Sequence, residues 1–112
     1  MRTGLFCTYE NPQRDYRSAY AEQTKLVQLV EALGFDEAWV AEHHFNPDAS
    51  SPSSLAILAH LAARTTRIRL GSAAVLLPLR NPIHVAEDVA TLDILSDSRL
   101  RAPGGRKGQT TI

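Results

Sequence analysis

The sequence predicts an α/β protein built on parallel strands, and three observations predict it. Short apolar runs alternate with amphipathic stretches, and the runs begin near residues 3, 36 and 68, a spacing of roughly 30 residues that is one βα unit each time. The third run, Ile68 to Leu77, is nearly continuous in apolar residues, as suits a parallel strand buried on both faces. The first βα turn, Y-E-N-P-Q-R-D, has no G-x-G-x-x-G, which argues against a dinucleotide-binding open sheet. Of the two natural completions of a three-unit parallel pattern, a doubly wound sheet and an eight-unit barrel, the barrel is favoured. The chain reads as the first three βα units of a TIM-type (β/α)8 barrel.

Taken in order, T-G-L-F-C-T-Y (Thr3 to Tyr9) is a strand, followed by a polar loop at Glu10 to Arg14. Leu26, Leu29, Val30 and Leu33 fall at i, i+3, i+4, i+7 and predict one buried helical face. Gly34 supplies the left-handed stop behind it. Glu37 to Ala41 is a second strand, and a loop rich in Asn, Pro, Asp and Ser follows. Leu55, Leu58, Ala59 and Ala62 repeat the helical spacing, and Ile68 to Leu77 is the third strand. Asn81-Pro82 reads as an N-cap with Pro at the first helical position, opening a helix to about Leu95 with Val85, Val89 and Leu92 on one side. A fourth strand is due near residue 100, but L-R-A-P-G-G-R-K-G-Q-T-T-I has no apolar run. Residues 1–99 are therefore expected to form the barrel portion and 100–112 a divergent, disordered tail.

The bulk composition narrows the function classes. In 112 residues, Lys+Arg and Asp+Glu are both 12, so nothing in the net charge suggests a grip on nucleic acid or on an acidic membrane surface. The single Cys7 cannot form an internal disulfide, and the N-terminus has no long apolar signal region. The longest apolar run is far short of the roughly 20 residues needed to cross a bilayer. A soluble, cytoplasmic protein is expected.

The chemistry-bearing residues cluster in W-V-A-E-H-H-F-N-P, Trp39 to Pro47. Glu42, His43 and His44 stand at the carboxyl end of the second strand, where ligands sit in both candidate architectures. Strand alternation puts Glu42 and His44 on one side and His43 on the other. Adjacent histidines in that geometry make a poor metal pair, and His60 and His84 offer no third ligand at suitable spacing, so no metal site is expected. Catalysis at this cluster stands beside a plainer reading, in which a histidine is satisfied by a carbonyl and Glu42 pairs with an arginine such as Arg80.

Three motifs in order then carry a resemblance: G-F-D-E-A-W-V-A-E-H-H-F (Gly34 to Phe45), R-I-R-L-G-S-A-A-V-L-L-P-L-R-N-P (Arg67 to Pro82) and A-E-D-V-A-T-L-D-I-L-S (Ala86 to Ser96). Together they resemble the bacterial luciferase-like family of flavin-dependent monooxygenases and oxidoreductases, from about residue 2 to Arg99. The resemblance implies a TIM-type barrel, and it implies that His43 is the active-site histidine at the reactive edge of reduced flavin. There it would hydrogen-bond or exchange a proton, a task suited to an imidazole. Glu42 and His44 would orient it. Gly71, Ser72, Ala73 and Ala74 match the strand whose backbone lies against the isoalloxazine ring, with a non-proline cis peptide at Ala73-Ala74. Read without the resemblance, the same small residues are core packing. Asp88 reads equally as an inter-subunit or helix–strand partner and as a solvated edge residue.

The implied cofactor is reduced FMN, with deazaflavin as the alternative within the family. The implied partners are O₂, a small organic substrate, a flavin reductase as electron donor, and a second subunit. The departure lies at the tail: the family continues through S-G-G-R into F-G-V-G-R-G, and here only Arg99 matches. A shifted reading frame near Leu100 or a truncated gene would produce this tail. The expectation is an N-terminal fragment that is not active alone. The rival is a non-catalytic remnant, or an interaction module pairing with a full-length homologue through its exposed strand edge.

Overall fold

A computed structural model describes residues 1–101. The chain runs β1 (Gly4–Cys7), α1 (Tyr16–Ala32), β2 (Glu37–Val40), α2 (Ser54–Arg64), β3 (Arg69–Ser72), a 3₁₀ turn (Leu77–Leu79), α3 (Pro82–Leu95) and β4 (Leu100–Arg101). The strands form one parallel sheet in the order β1-β2-β3-β4. Leu5, Ala38, Leu70 and Leu100 share one row across it and pack into a single core with Val27 and Val30 of α1, Leu58 and Leu61 of α2, and Val85 and Val89 of α3. All three helices thus lie on one face. The opposite face carries the row Phe6, Trp39, Gly71 and Arg101, and Phe6 on it is 56% exposed. A sheet with helices on one face only is a segment of barrel wall, whereas a doubly wound sheet is covered on both.

The ends of the helices follow from local chemistry. Asp15 caps α1, its side chain accepting from the Ser18 amide at 3.2 Å and the Ser18 hydroxyl at 2.7 Å, and Gly34 closes the helix at φ +92°. Asn81 caps α3 by accepting from the Ile83 amide at 2.9 Å, with Pro82 behind it. Val85, Val89 and Leu92 are buried as the spacing predicts.

Four expectations need correction. On α1 the buried residues are Ala19, Val27 and Val30, while Leu26, Leu29 and Leu33 are exposed. The helix carries two apolar stripes about one residue apart, and its rotation is set by contacts to the first βα turn: Gln23 accepts from the Tyr9 amide at 3.4 Å, and Tyr20 packs on Tyr9. On α2, Ile57 and Leu61 are buried and Ala59 is exposed, because the helix is covered by both the sheet and α3. The apolar run from Ile68 contributes only Arg69–Ser72 to the ladder; Pro78, without an amide hydrogen, stands second in the 3₁₀ turn, in which Leu77 and Leu79 are exposed. Finally, Leu100–Arg101 does pair with β3. One buried leucine and a 2.9 Å bond from the Leu70 amide to the Arg99 carbonyl hold it, and two residues are too few to show a period in sequence. The expectation of disorder for residues 102–112 lies outside the described residues.

Arg99 explains how the strand is placed. Its guanidinium donates to the Ser96, Ala62, Thr65 and Ile68 carbonyls and to the Thr65 hydroxyl, at 2.7 to 3.3 Å, with Nε–Ser96 O at 2.7 Å and Nη2–Ala62 O at 2.8 Å. One planar side chain thereby ties the ends of α2 and α3 to the start of β3.

Candidate active site at the carboxyl ends of the strands

Glu42 follows β2 by two residues, and its side chain is completely buried. Its Oε1 accepts from His44 Nε2 at 2.7 Å and Arg80 Nη2 at 2.9 Å; its Oε2 accepts from Ser54 Oγ at 2.8 Å and the Leu76 amide at 3.3 Å. Burial pushes the carboxyl pKa up, but the hydrogen bonds from His44, Ser54 and Arg80 and the Arg80 charge outweigh it and hold the group below the ordinary carboxylate range. One ionised carboxylate therefore fastens together the end of β2, the start of α2 and the loop after β3. Arg80 also donates to the Pro52 carbonyl at 3.1 Å. The pairing of Glu42 with Arg80 that the plainer reading expects is present, and Glu42 also bonds His44; among the described residues neither side chain hydrogen-bonds the His43 ring.

His43 is half-buried and is held through its backbone, its amide donating to the Ser51 carbonyl at 3.1 Å. The loop carrying it folds back on the first βα turn: the Ser50 amide donates to Tyr9 O and the Asn11 amide to Asp48 O, both at 2.9 Å. Beside His43 and His44 lies a groove of about 620 Å³, lined also by Tyr16 and Tyr20 of α1 and by Phe45, Pro47 and Pro52. Tyr16, Tyr20, Ser54 and the anchoring loop residues were not legible as site residues, because periodicity does not say which loop meets which.

The Gly71–Ala74 stretch divides in two. A β-carbon on Gly71 would fall 2.4 Å from the Trp39 ring, so this glycine is matched to Trp39, whose Nε1–H donates to Glu37 at 3.0 Å. Ser72 shares a row with Cys7 and Val40 and turns its hydroxyl to the helix layer, where it is buried without a partner. Ala73 and Ala74 lie beyond the ladder, joined by a cis peptide bond, with the Ala73 amide donating to Val40 O at 2.9 Å. Ala73 is half-buried and Ala74 exposed. Both side chains are only methyl groups, which leave room for a flat ring system at the exposed Ala74 side; the residues present fit a flavin on this criterion.

Other groups are set apart from this chemistry. Cys7 is buried in the core and its thiol is pushed up to about 12 by burial, so it is no nucleophile. Asp88 is exposed. Among the described residues no group of three or more His, Cys, Asp or Glu could hold a metal ion, and no helix is long and apolar enough to cross a membrane.

Comparison with known proteins places this geometry. The sequence matches the luciferase-like monooxygenase family over residues 1–112. It is 36% identical over 102 residues to the alkanal monooxygenase alpha chain of the Kryptophanaron alfredi symbiont, covering 90% of this chain and 29% of that protein. Among solved structures it resembles monooxygenase RslO1 from Streptomyces bottropensis (32% identity, TM-score 0.84, 91% of this chain and 32% of that one). It also resembles the oxygenating constituent of 3,6-diketocamphane monooxygenase from Pseudomonas putida in complex with FMN (25%, 0.84, 98% and 31%). A coenzyme F420-dependent tetrahydromethanopterin reductase from Methanopyrus kandleri, at 24% identity and TM-score 0.71, shares the fold over 93% of this chain and 27% of its own. The chain thus spans about a third or less of the length of each protein it matches. With the family match over the whole chain and the strand-end cluster in place, this protein belongs to the luciferase-like monooxygenase family.

Proposed function

We propose that this chain supplies the flavin-facing strand ends of a luciferase-like monooxygenase, whose barrel binds reduced FMN and oxygenates a small organic substrate with O₂. The observation that carries the proposal is the placement of His43 and of Ala73-Ala74 at the same ends of adjacent parallel strands, bridged by the Ala73–Val40 hydrogen bond. Ala73 and Ala74 would hold the ring by close backbone approach. Reduced flavin, when bound, supplies the electrons that activate O₂. His43 hydrogen-bonds or moves a proton at its imidazole, and its backbone tie to Ser51 keeps it in register. Glu42, through His44, Ser54, Arg80 and the Leu76 amide, keeps the two loops from drifting apart.

The remaining wall and the substrate pocket would come from the further strands that relatives possess, and catalysis by these residues alone is not proposed. A flavin reductase as electron donor and a homodimer belong to the same proposal. The deazaflavin alternative is separated from it by cofactor titration of the completed barrel. In a barrel completed from a close relative, His43→Ala is expected to lower turnover by about 10²- to 10⁴-fold with the fold intact. Unchanged turnover would remove the catalytic assignment.

A further inference from the structure

We infer that the turn joining α2 to β3 is an anion-binding site for a small carboxylate, kept filled in this chain by the side chain of Glu31. Three successive amides converge on one oxygen: Glu31 Oε2 accepts from Thr66 at 3.1 Å and from Arg67 and Ile68 at 2.8 Å each, and Oε1 accepts a further bond from Thr66 at 3.2 Å. Consecutive backbone N–H groups turned inward in this way form a concavity that selects anions. Such groups only donate, so a cation finds no partner among them.

The turn is held in shape by groups other than Glu31. Arg99 donates to the Thr65 hydroxyl at 2.8 Å, to the Thr65 carbonyl at 3.3 Å and to the Ile68 carbonyl at 3.1 Å, so it fixes both ends of the turn from the side of β4. Gln28 of α1 donates to the Arg64 carbonyl at 3.1 Å. The amides of residues 66 to 68 therefore stay aimed at the same point when the carboxylate is taken away. The Arg67 guanidinium, donating to the Glu31 and Phe35 carbonyls at 2.7 and 3.3 Å, adds a positive charge beside them. Thr66 and Arg67 are exposed and Glu31 is only partly buried, so the site opens to solvent. Cut back to its β-carbon, Glu31 loses a CH₂–COO⁻ group, which acetate replaces atom for atom. The site lies at the amino ends of the strands, away from His43, and it stands or falls separately from the proposed activity.

The test compares Glu31→Ala with the parent in the 112-residue chain, in sodium acetate and in sodium chloride at equal ionic strength. In chloride the urea midpoint of the variant is expected about 1 M below that of the parent. Acetate should return at least half of that loss along a saturating curve, beyond any effect it has on the parent. The amide resonances of Thr66, Arg67 and Ile68 should move along the same curve in the variant and stay in place in the parent, where Glu31 fills the site. Equal responses to acetate and chloride, equal stabilisation of both chains by acetate, or unmoved amides would overturn the inference. Should the variant not fold, the parent chain decides: scalar coupling across the hydrogen bonds, from the Arg67 and Ile68 amide nitrogens to the Glu31 carboxyl carbon, is expected, and its absence overturns the site.

Discussion

Gly71→Ala places one methyl against the Trp39 ring, and the cost can be worked from the geometry. The new β-carbon would fall 2.4 Å from Cζ3 and 2.5 Å from Cε3, where carbon pairs settle at about 3.5–4.0 Å. The ring must therefore retreat by about 1 Å or more. It can do so toward the open face of the sheet, since Trp39 is only half-buried, but it gives up its 3.0 Å bond to Glu37. Overpacking of this kind costs about 1–3 kcal/mol, and the gain from restricting the unfolded chain returns about 0.5 kcal/mol. A net loss of about 1–2 kcal/mol is expected. Urea unfolding followed through the fluorescence of Trp39, the only tryptophan, should show the midpoint falling by about 1 M at unchanged slope. In the Trp39→Leu background the same methyl should cost less than about 0.5 kcal/mol, because the clash has been removed. A Gly71→Ala chain with the parent's midpoint and emission would refute the reasoning, and an equal loss in both backgrounds would detach Gly71 from Trp39.

Three further perturbations follow from the same structure. Arg99→Lys cannot reproduce a planar fork that reaches four carbonyls and a hydroxyl, so a loss of about 2–4 kcal/mol is expected by urea unfolding; a shift below about 0.5 kcal/mol would contradict its tying role. Asn81→Ala removes the cap of α3 and should cost about 1 kcal/mol in the same assay, with Asn81→Asp close to neutral. Glu31 and Glu42 both have carboxyl groups held below the ordinary range. In Glu31 burial raises the pKa, and bonds from the Ile68, Arg67 and Thr66 amides with the Arg67 charge more than reverse it; in Glu42 the bonds from His44, Ser54 and Arg80 with the Arg80 charge do the same. A depressed carboxyl pKa stabilises the fold above the unfolded value, about 4.3, and the contribution is lost as pH falls through the folded value. Glu31→Gln and Glu42→Gln should each lower stability at neutral pH and flatten the acid side of the stability profile; profiles parallel to that of the parent chain would contradict this.

The sequence by itself determined the class of the fold and the end of the sheet at which the Glu42-His43-His44 cluster stands. Alternating apolar runs and helical periods, Asn81-Pro82 and Gly34 are local signals, and backbone hydrogen bonding leaves few other ways to satisfy them. The E-H-H cluster was legible from its place at a strand end, whereas the cis peptide at Ala73-Ala74 was reached through resemblance of whole motifs, since nothing in two alanines announces such a bond. Tertiary structure decided what periodicity could not. Which of two apolar stripes of α1 is buried depends on where Gln23 meets Tyr9. Whether Leu100 pairs depends on the neighbour that Arg99 brings to it. Gly71 is small because Trp39, thirty-odd residues earlier in the chain, lies over it. Glu42 is a clamp because Ser54 of α2 and Leu76 and Arg80 of the loop after β3 converge on it. These contacts join residues far apart in the chain, and their energies arise from close approach and burial, quantities that a linear pattern does not contain.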